Sequence, residues 1–170
     1  MSKGDITILR ESAFGGGGSR TYAVSPSATL INAGEPVLKK LGSGVAAGAV
    51  VAPAATTTPL VGTDYWVGIA ASVSTNTATA TGTVDVWPLD DATVYLIAPK
   101  TSTSYNTQAL YDNAVGARVT IDLTSGVYTL NATDTGTAAA QNGLVIEPLD
   151  ISRYPGKVAF KIRSAVSYSA

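Results

Sequence analysis

The sequence predicts an all-β fold, a small barrel or sandwich with at most one short helix. Three observations lead there. Several segments alternate apolar and polar residues at a period of two, as in residues 83–87, 118–123 and 157–164. The polar surface is made mainly of Thr, Ser, Asn and Gly, and Thr, Val and Tyr sit well on a pleated sheet. Charged residues are only 14% of the chain, so the Glu- and Lys-rich faces of surface helices are missing.

The 170 residues make one domain, or one domain with an appendage. A chain of this size buries roughly 70% of its unfolded surface and needs no staples. Residues 1–33 read as a flexible N-terminal arm. Ile6, Ile8 and Leu9 form a short apolar alternation, and four glycines at 15–18 act as a joint, since such a run costs too much backbone entropy inside a regular element. The arm's strand is expected to pair with another chain, or else to reach back as an edge strand of its own sheet. Residues 34–170 read as a single β-domain.

Within that domain, Gly34-Glu35-Pro36 is a turn leading into a short strand at 37–41. Residues 65–71 (YWVGIAA) suit a buried strand, with Trp66 in the core. Residues 72–82 are a low-complexity Thr/Ala/Ser/Asn hairpin or loop, read as exposed. In 83–87, Val84 and Val86 face one way and Asp85 and Trp87 the other. Asp90-Asp91 turns the chain into a strand at 93–98, which Pro99 stops. Residues 107–115 are the helix candidate, capped by Thr107 and ended by Gly116, with Leu110 and Ala114 on one face. A hairpin follows. Val119, Ile121 and Leu123 lie on one face and Arg118, Thr120 and Asp122 on the other, and Gly126 takes the left-handed position of the turn. Residues 131–142 are a polar loop with a helical turn at 137–141. The last strands are 144–149 and 157–164, the latter with Val158, Phe160 and Ile162 inward. An echo links Val86-Trp87-Pro88-Leu89-Asp90 to Ile146-Glu147-Pro148-Leu149-Asp150. It marks either a duplication or the reuse of strand-exit residues.

The composition excludes much chemistry. The chain has no Cys and no His, which removes disulfides, thiolate zinc sites, Ser-His-Asp triads and two-histidine iron centres. A net charge of −1 without basic clusters does not fit nucleic-acid binding. The most apolar stretch, 45–55, is too short to span a bilayer and contains Pro53, and the charged N-terminus is no signal peptide. Gly42-Ser43-Gly44-Val45-Ala46-Ala47-Gly48 departs from a dinucleotide-binding turn at its third glycine and leads into Pro53 rather than a helix. Asp85, Asp90 and Asp91 are the available acid/base material, and read as strand and turn residues rather than a carboxylate pair. No Asp-x-Asp-x-Asp-Gly calcium loop occurs. Asn131-Ala132-Thr133 matches a glycosylation sequon. The expectation is a protein that is not an enzyme, with no catalytic residues, no cofactor and no metal. Trp87, sharing its face with Asp85, is the best candidate for an exposed contact. The partner-binding candidates are Ile6, Ile8, Leu9, Phe14, Tyr22 and Trp87.

The strings YDNAVGARVTIDLTSGVYTL and GLVIEPLDISRYPGKVAFKIRSAVS resemble small structural proteins encoded near the major capsid gene of tailed phages. AGEPVLKK, YWVGIAA and the Thr-rich hairpin are similar to capsid decoration (cement) proteins built on a small β-barrel or tulip-like β-domain. The resemblance covers about two-thirds of the chain and leaves the N-terminal arm unmapped. It implies a virion protein, made in the host cytoplasm, that binds the outer capsid surface as a homotrimer and braces the shell. Its partners would be the major capsid protein and its own copies, with no nucleic acid and no membrane. A tail, head-fibre or host-attachment protein touching glycans through Trp87 is the alternative, and a polysaccharide-cleaving domain using Asp85 with Asp90 or Asp91 the third.

Overall fold

The computed structural model describes residues 6–10, 18–26, 28–40, 50–51, 64–124, 126–131 and 143–163. The expected segments at 45–49 and 132–142, with the glycines at 15–17, lie outside them. The fold is all-β: two antiparallel sheets and one short helix.

The strands are β1 (Thr7–Arg10), β2 (Arg20–Val24), β3 (Pro36–Lys40), β4 (Val50–Val51), β5 (Asp64–Ala70) and β6 (Gly82–Pro88), then β7 (Val94–Ile97), β8 (Arg118–Thr124), β9 (Val127–Asn131), β10 (Leu144–Ile146) and β11 (Val158–Ile162). A six-stranded sheet runs β1-β7-β11-β10-β8-β9, and a five-stranded sheet runs β2-β6-β5-β3-β4. Both curl. The chain continuing past β7 meets β9 in parallel, with the Lys100 amide donating to the Leu130 carbonyl at 2.8 Å and the Leu130 amide to the Ala98 carbonyl at 2.9 Å. In the other sheet the edge strands β2 and β4 approach one another.

Two strands are described within residues 1–33, the expected arm, and each pairs within the chain, which for residues 6–9 is the edge-strand alternative the sequence left open. β1 pairs with β7, Thr7 opposite Leu96, and Ile6 and Leu9 pack on the main core. β2 pairs with β6 along its whole length. Both strands find main-chain partners on one side within the chain, and each forms an edge of its sheet.

Two apolar clusters fill the interior. The larger takes Val94–Ile97, Val119, Ile121, Tyr128, Leu130, Leu144, Ile146, Val158–Phe160 and Ile162 from the six-stranded sheet, and Leu38 and Trp66 from the other. The smaller gathers Val24, Ile31, Val37, Val67, Ala70, Val84 and Val86 on the opposite face of the five-stranded sheet. Adjacent residues Trp66 and Val67 thus serve different clusters. The irregularity in the β3–β5 register, where Val37 faces Gly68 and Leu38 faces Trp66, lies beside them.

Helix α1 (Gln108–Ala114) is capped as expected, with the Thr107 hydroxyl accepting from the Leu110 amide. The chain leaves it at Gly116, whose φ is +85°. Its inward residue differs from the expectation: Leu110 is exposed and Tyr111 is fully buried. The Tyr111 hydroxyl donates to the Glu147 carbonyl at 2.9 Å and accepts from the Ala159 amide at 2.8 Å, so the ring fills the core while its oxygen satisfies strand groups.

Candidate functional site

Trp87 stands on β6 directly opposite Ile69 of β5, so the two share a face. It is 54% exposed, while Ile69 is partly buried against the main core. Trp87 therefore marks where this face emerges from under the other sheet. Gly68 makes the local approach possible, because a Cβ there would lie 1.9 Å from the Trp87 carbonyl oxygen. Asp85 lies two residues earlier on the same face, and its carboxylate accepts from the Thr21 hydroxyl of β2 at 2.6 Å. Thr83 and Ala23 continue the strip, both exposed. The result is an aromatic side chain at the end of a face of hydroxyls and methyls.

Of the other candidates, Ile6 and Leu9 are partly buried against the main core and Tyr22 against the smaller cluster. Phe14 and the side chain of Ile8 lie outside the described residues. Among the described residues, Ile6, Leu9 and Tyr22 turn toward the two clusters while Trp87 is exposed.

The Thr-rich segment 72–82 is only partly exposed. Ser74 and Asn76 point inward at 5% exposure each. The Ser74 hydroxyl accepts from the Ile31 amide at 2.9 Å and donates to the Asn76 side-chain oxygen, whose amide donates to the Ala28 carbonyl. This strap closes the end of the smaller cluster.

The acids sit in turns. Asp90 accepts from the Ala92 amide at 2.9 Å, the Thr93 amide at 2.6 Å and the Thr93 hydroxyl at 2.9 Å. The echoed Asp150 accepts from the Ser152 amide and hydroxyl, which hold its carboxyl below the ordinary carboxylate range. Leu89 and Leu149, preceding them, both enter the main core. The echo thus reuses one local device at two strand exits. Among the described residues, no group of three or more acids is placed to hold a metal ion. No helix of those residues is long and apolar enough to cross a membrane.

One cluster escaped the sequence reading. Thr120 and Asp122, on the polar face of the hairpin, are 0% and 1% exposed. Asp122 is buried with partners: its Oδ2 accepts from Lys100 Nζ, and from the Asn131 side-chain amide at 3.0 Å. Asn131 itself is 8% exposed, which leaves no room for a glycan on its amide. Alternation sorts residues by face but does not say whether the polar face is covered, and Lys100 lies 22 positions from Asp122.

A shallow cleft of about 200 Å³ separates the 3₁₀ turn Ser102–Tyr105 from the loop after β10, with Tyr105, Ile151 and Lys157 on its walls. Comparison of the chain with protein-family models, curated proteins and solved structures finds no match.

Proposed function

We propose that this chain is a structural virion protein, a decoration protein that attaches to the outer surface of an assembled tailed-phage capsid and stabilises it. It acts as a homotrimer, through contacts with the major capsid protein and with its own copies, and it catalyses no reaction. The resemblance of residues 111–130 and 143–167 supplies the role. The observation that carries contact as the mode of action is the half-exposed Trp87 on a sheet face where the Asp85 carboxylate is already bonded to the Thr21 hydroxyl. An exposed aromatic anchor beside hydroxyl groups suits a protein–protein contact. The turn role of Asp90 supports the non-catalytic reading, since its carboxylate already accepts three hydrogen bonds.

The test is co-sedimentation of the purified chain with expanded, empty capsids of its phage, followed by cryo-electron microscopy. Added density at three-fold or quasi-three-fold positions is the expected result. Absence of binding to such shells would end the proposal.

The Asp85–Thr21 pair beside Trp87 favours one second reading, glycan contact by a tail or head-fibre protein. An aromatic face with adjacent hydroxyl and carboxylate groups suits a sugar ring. Glycan binding that disappears in Trp87→Ala, without capsid binding, would select it.

A further inference from the structure

Lys100, Asp122 and Asn131 come from three separate stretches of chain and meet around one oxygen. Lys100 follows β7, Asp122 is on β8 and Asn131 ends β9. Both the lysine amine and the asparagine amide are hydrogen-bonded to Asp122 Oδ2. The carboxylate and the amide are nearly sealed from water, at 1% and 8% exposure. Asp122 Oδ1 and the hydroxyl of Thr120 are buried without hydrogen-bond partners among the described residues. Thr120 lies directly opposite Asn131, on the same face of the hairpin as Asp122. Orphaned polar atoms in a buried site call for an explanation, and a buried amide and carboxylate that an amine reaches from the surface, its side chain 39% exposed, have a specific chemistry available.

We propose that Lys100 and Asn131 become joined by an intramolecular amide bond, with Asp122 carrying the protons. Asp122 takes one proton from the Lys100 ammonium to which it is hydrogen-bonded, which leaves a neutral amine and a neutral acid. The Nζ lone pair attacks the side-chain carbonyl carbon of Asn131. The Thr120 hydroxyl is the donor available to the oxygen of the tetrahedral centre. Asp122 returns its proton to the departing nitrogen and collects one from the attacking nitrogen. The bond from the carbonyl carbon to Nδ2 breaks, and ammonia leaves, taking that last proton as ammonium. Lysine ammonium and asparagine amide are thus converted to a secondary amide and ammonium. Nothing is oxidised or reduced, and the carboxylate is restored. Proximity does most of the work, since both reacting groups are held by the same oxygen.

The bond would lie where the chain past β7 meets β9, beside the parallel contact of Pro99 and Leu130. It would replace a pair of main-chain hydrogen bonds by a covalent tie as the feature that resists opening there.

Intact-mass spectrometry of the denatured full-length chain decides the matter. The expected mass is lower than the sequence mass by one ammonia, and digestion should yield a branched peptide linking Lys100 to Asn131. Lys100→Arg, Asn131→Ala and the near-isosteric Asp122→Asn should each show their full sequence mass. A wild-type chain at full mass would overturn the proposal. So would the loss of water in place of ammonia, which would make Asp122 the acyl donor. Loss of ammonia that persists in Lys100→Arg would place it at another asparagine. Should a variant fail to fold, the wild-type peptide map still gives the answer.

Discussion

The Tyr95 hydroxyl closes the turn that Asp90 begins: it accepts from the Asp90 amide at 2.9 Å and donates to the Asp90 carbonyl at 3.2 Å. A buried ring on β7 thereby fixes the loop that delivers β7 to the sheet.

This arrangement predicts an alkaline limit. Burial pushes the hydroxyls of Tyr95 and Tyr111 up from near 10 to about 12, against the opposing effect of their backbone hydrogen bonds. The folded chain keeps these protons where the unfolded chain loses them. Their contribution to stability is therefore complete below pH 10 and falls as pH rises through the window from about 10 to about 12. Denaturation followed against pH should show this decline, and Tyr95→Phe should flatten part of it. That variant should also cost about 0.5–1.5 kcal/mol at neutral pH for the lost hydrogen bond.

Gly68→Ala should be among the most damaging single changes. Its Cβ would lie 1.9 Å from the Trp87 carbonyl oxygen and 2.7 Å from the carbonyl carbon, both backbone atoms that cannot swing aside. Restoring contact distance means separating β5 from β6. We expect a loss of about 3 kcal/mol or more in urea unfolding. Gly18→Ala, with open space around it, should change little.

Removing residues 1–18 should destabilise the fold. The deletion takes away β1, its ladder to β7, and the packing of Ile6 and Leu9 on the main core. The melting temperature should fall by about 2–4 °C for each kcal/mol lost in a chain of this size. An unchanged melting temperature would mean that β1 contributes nothing to its own sheet.

The two tryptophans should behave oppositely. Trp66→Ala removes a fully buried side chain and should cost about 3–5 kcal/mol. Trp87→Ala should leave stability within about 1 kcal/mol, since much of its ring is already in water. On the proposed role, its effect should appear in light scattering, as weakened self-association, and in weakened attachment to capsids.

Much of the fold was legible because local rules were obeyed. Val84 and Val86 are buried and Trp87 is exposed, as alternation requires. Thr107 caps the helix, and Gly34 and Gly126 take positive φ in their turns. What alternation could not give was partnership at long range. Nothing in TILR names Val94–Ile97 as the strand it will pair with, and an isolated apolar run beside glycines reads as an arm. The same limit hid Asp122. A Thr-x-Asp strand face looks solvated until Lys100 and Asn131 are seen to converge on it. Tyr111 was missed at the helix because counting apolar positions favoured Leu110, whereas the buried phenol is selected by the strand groups it can satisfy.

The placement of Trp66 and Val67 on opposite sides of β5 bears on how the molecule comes apart. β5 is a wall common to both apolar clusters, so displacing it hydrates both at once. Partial opening that removes β5 has no stable endpoint. Melting should proceed in one cooperative step, with calorimetric and van't Hoff enthalpies in agreement. The amides of β5 should exchange with deuterium only through that global event, and those at the outer edge of β1 through local fraying.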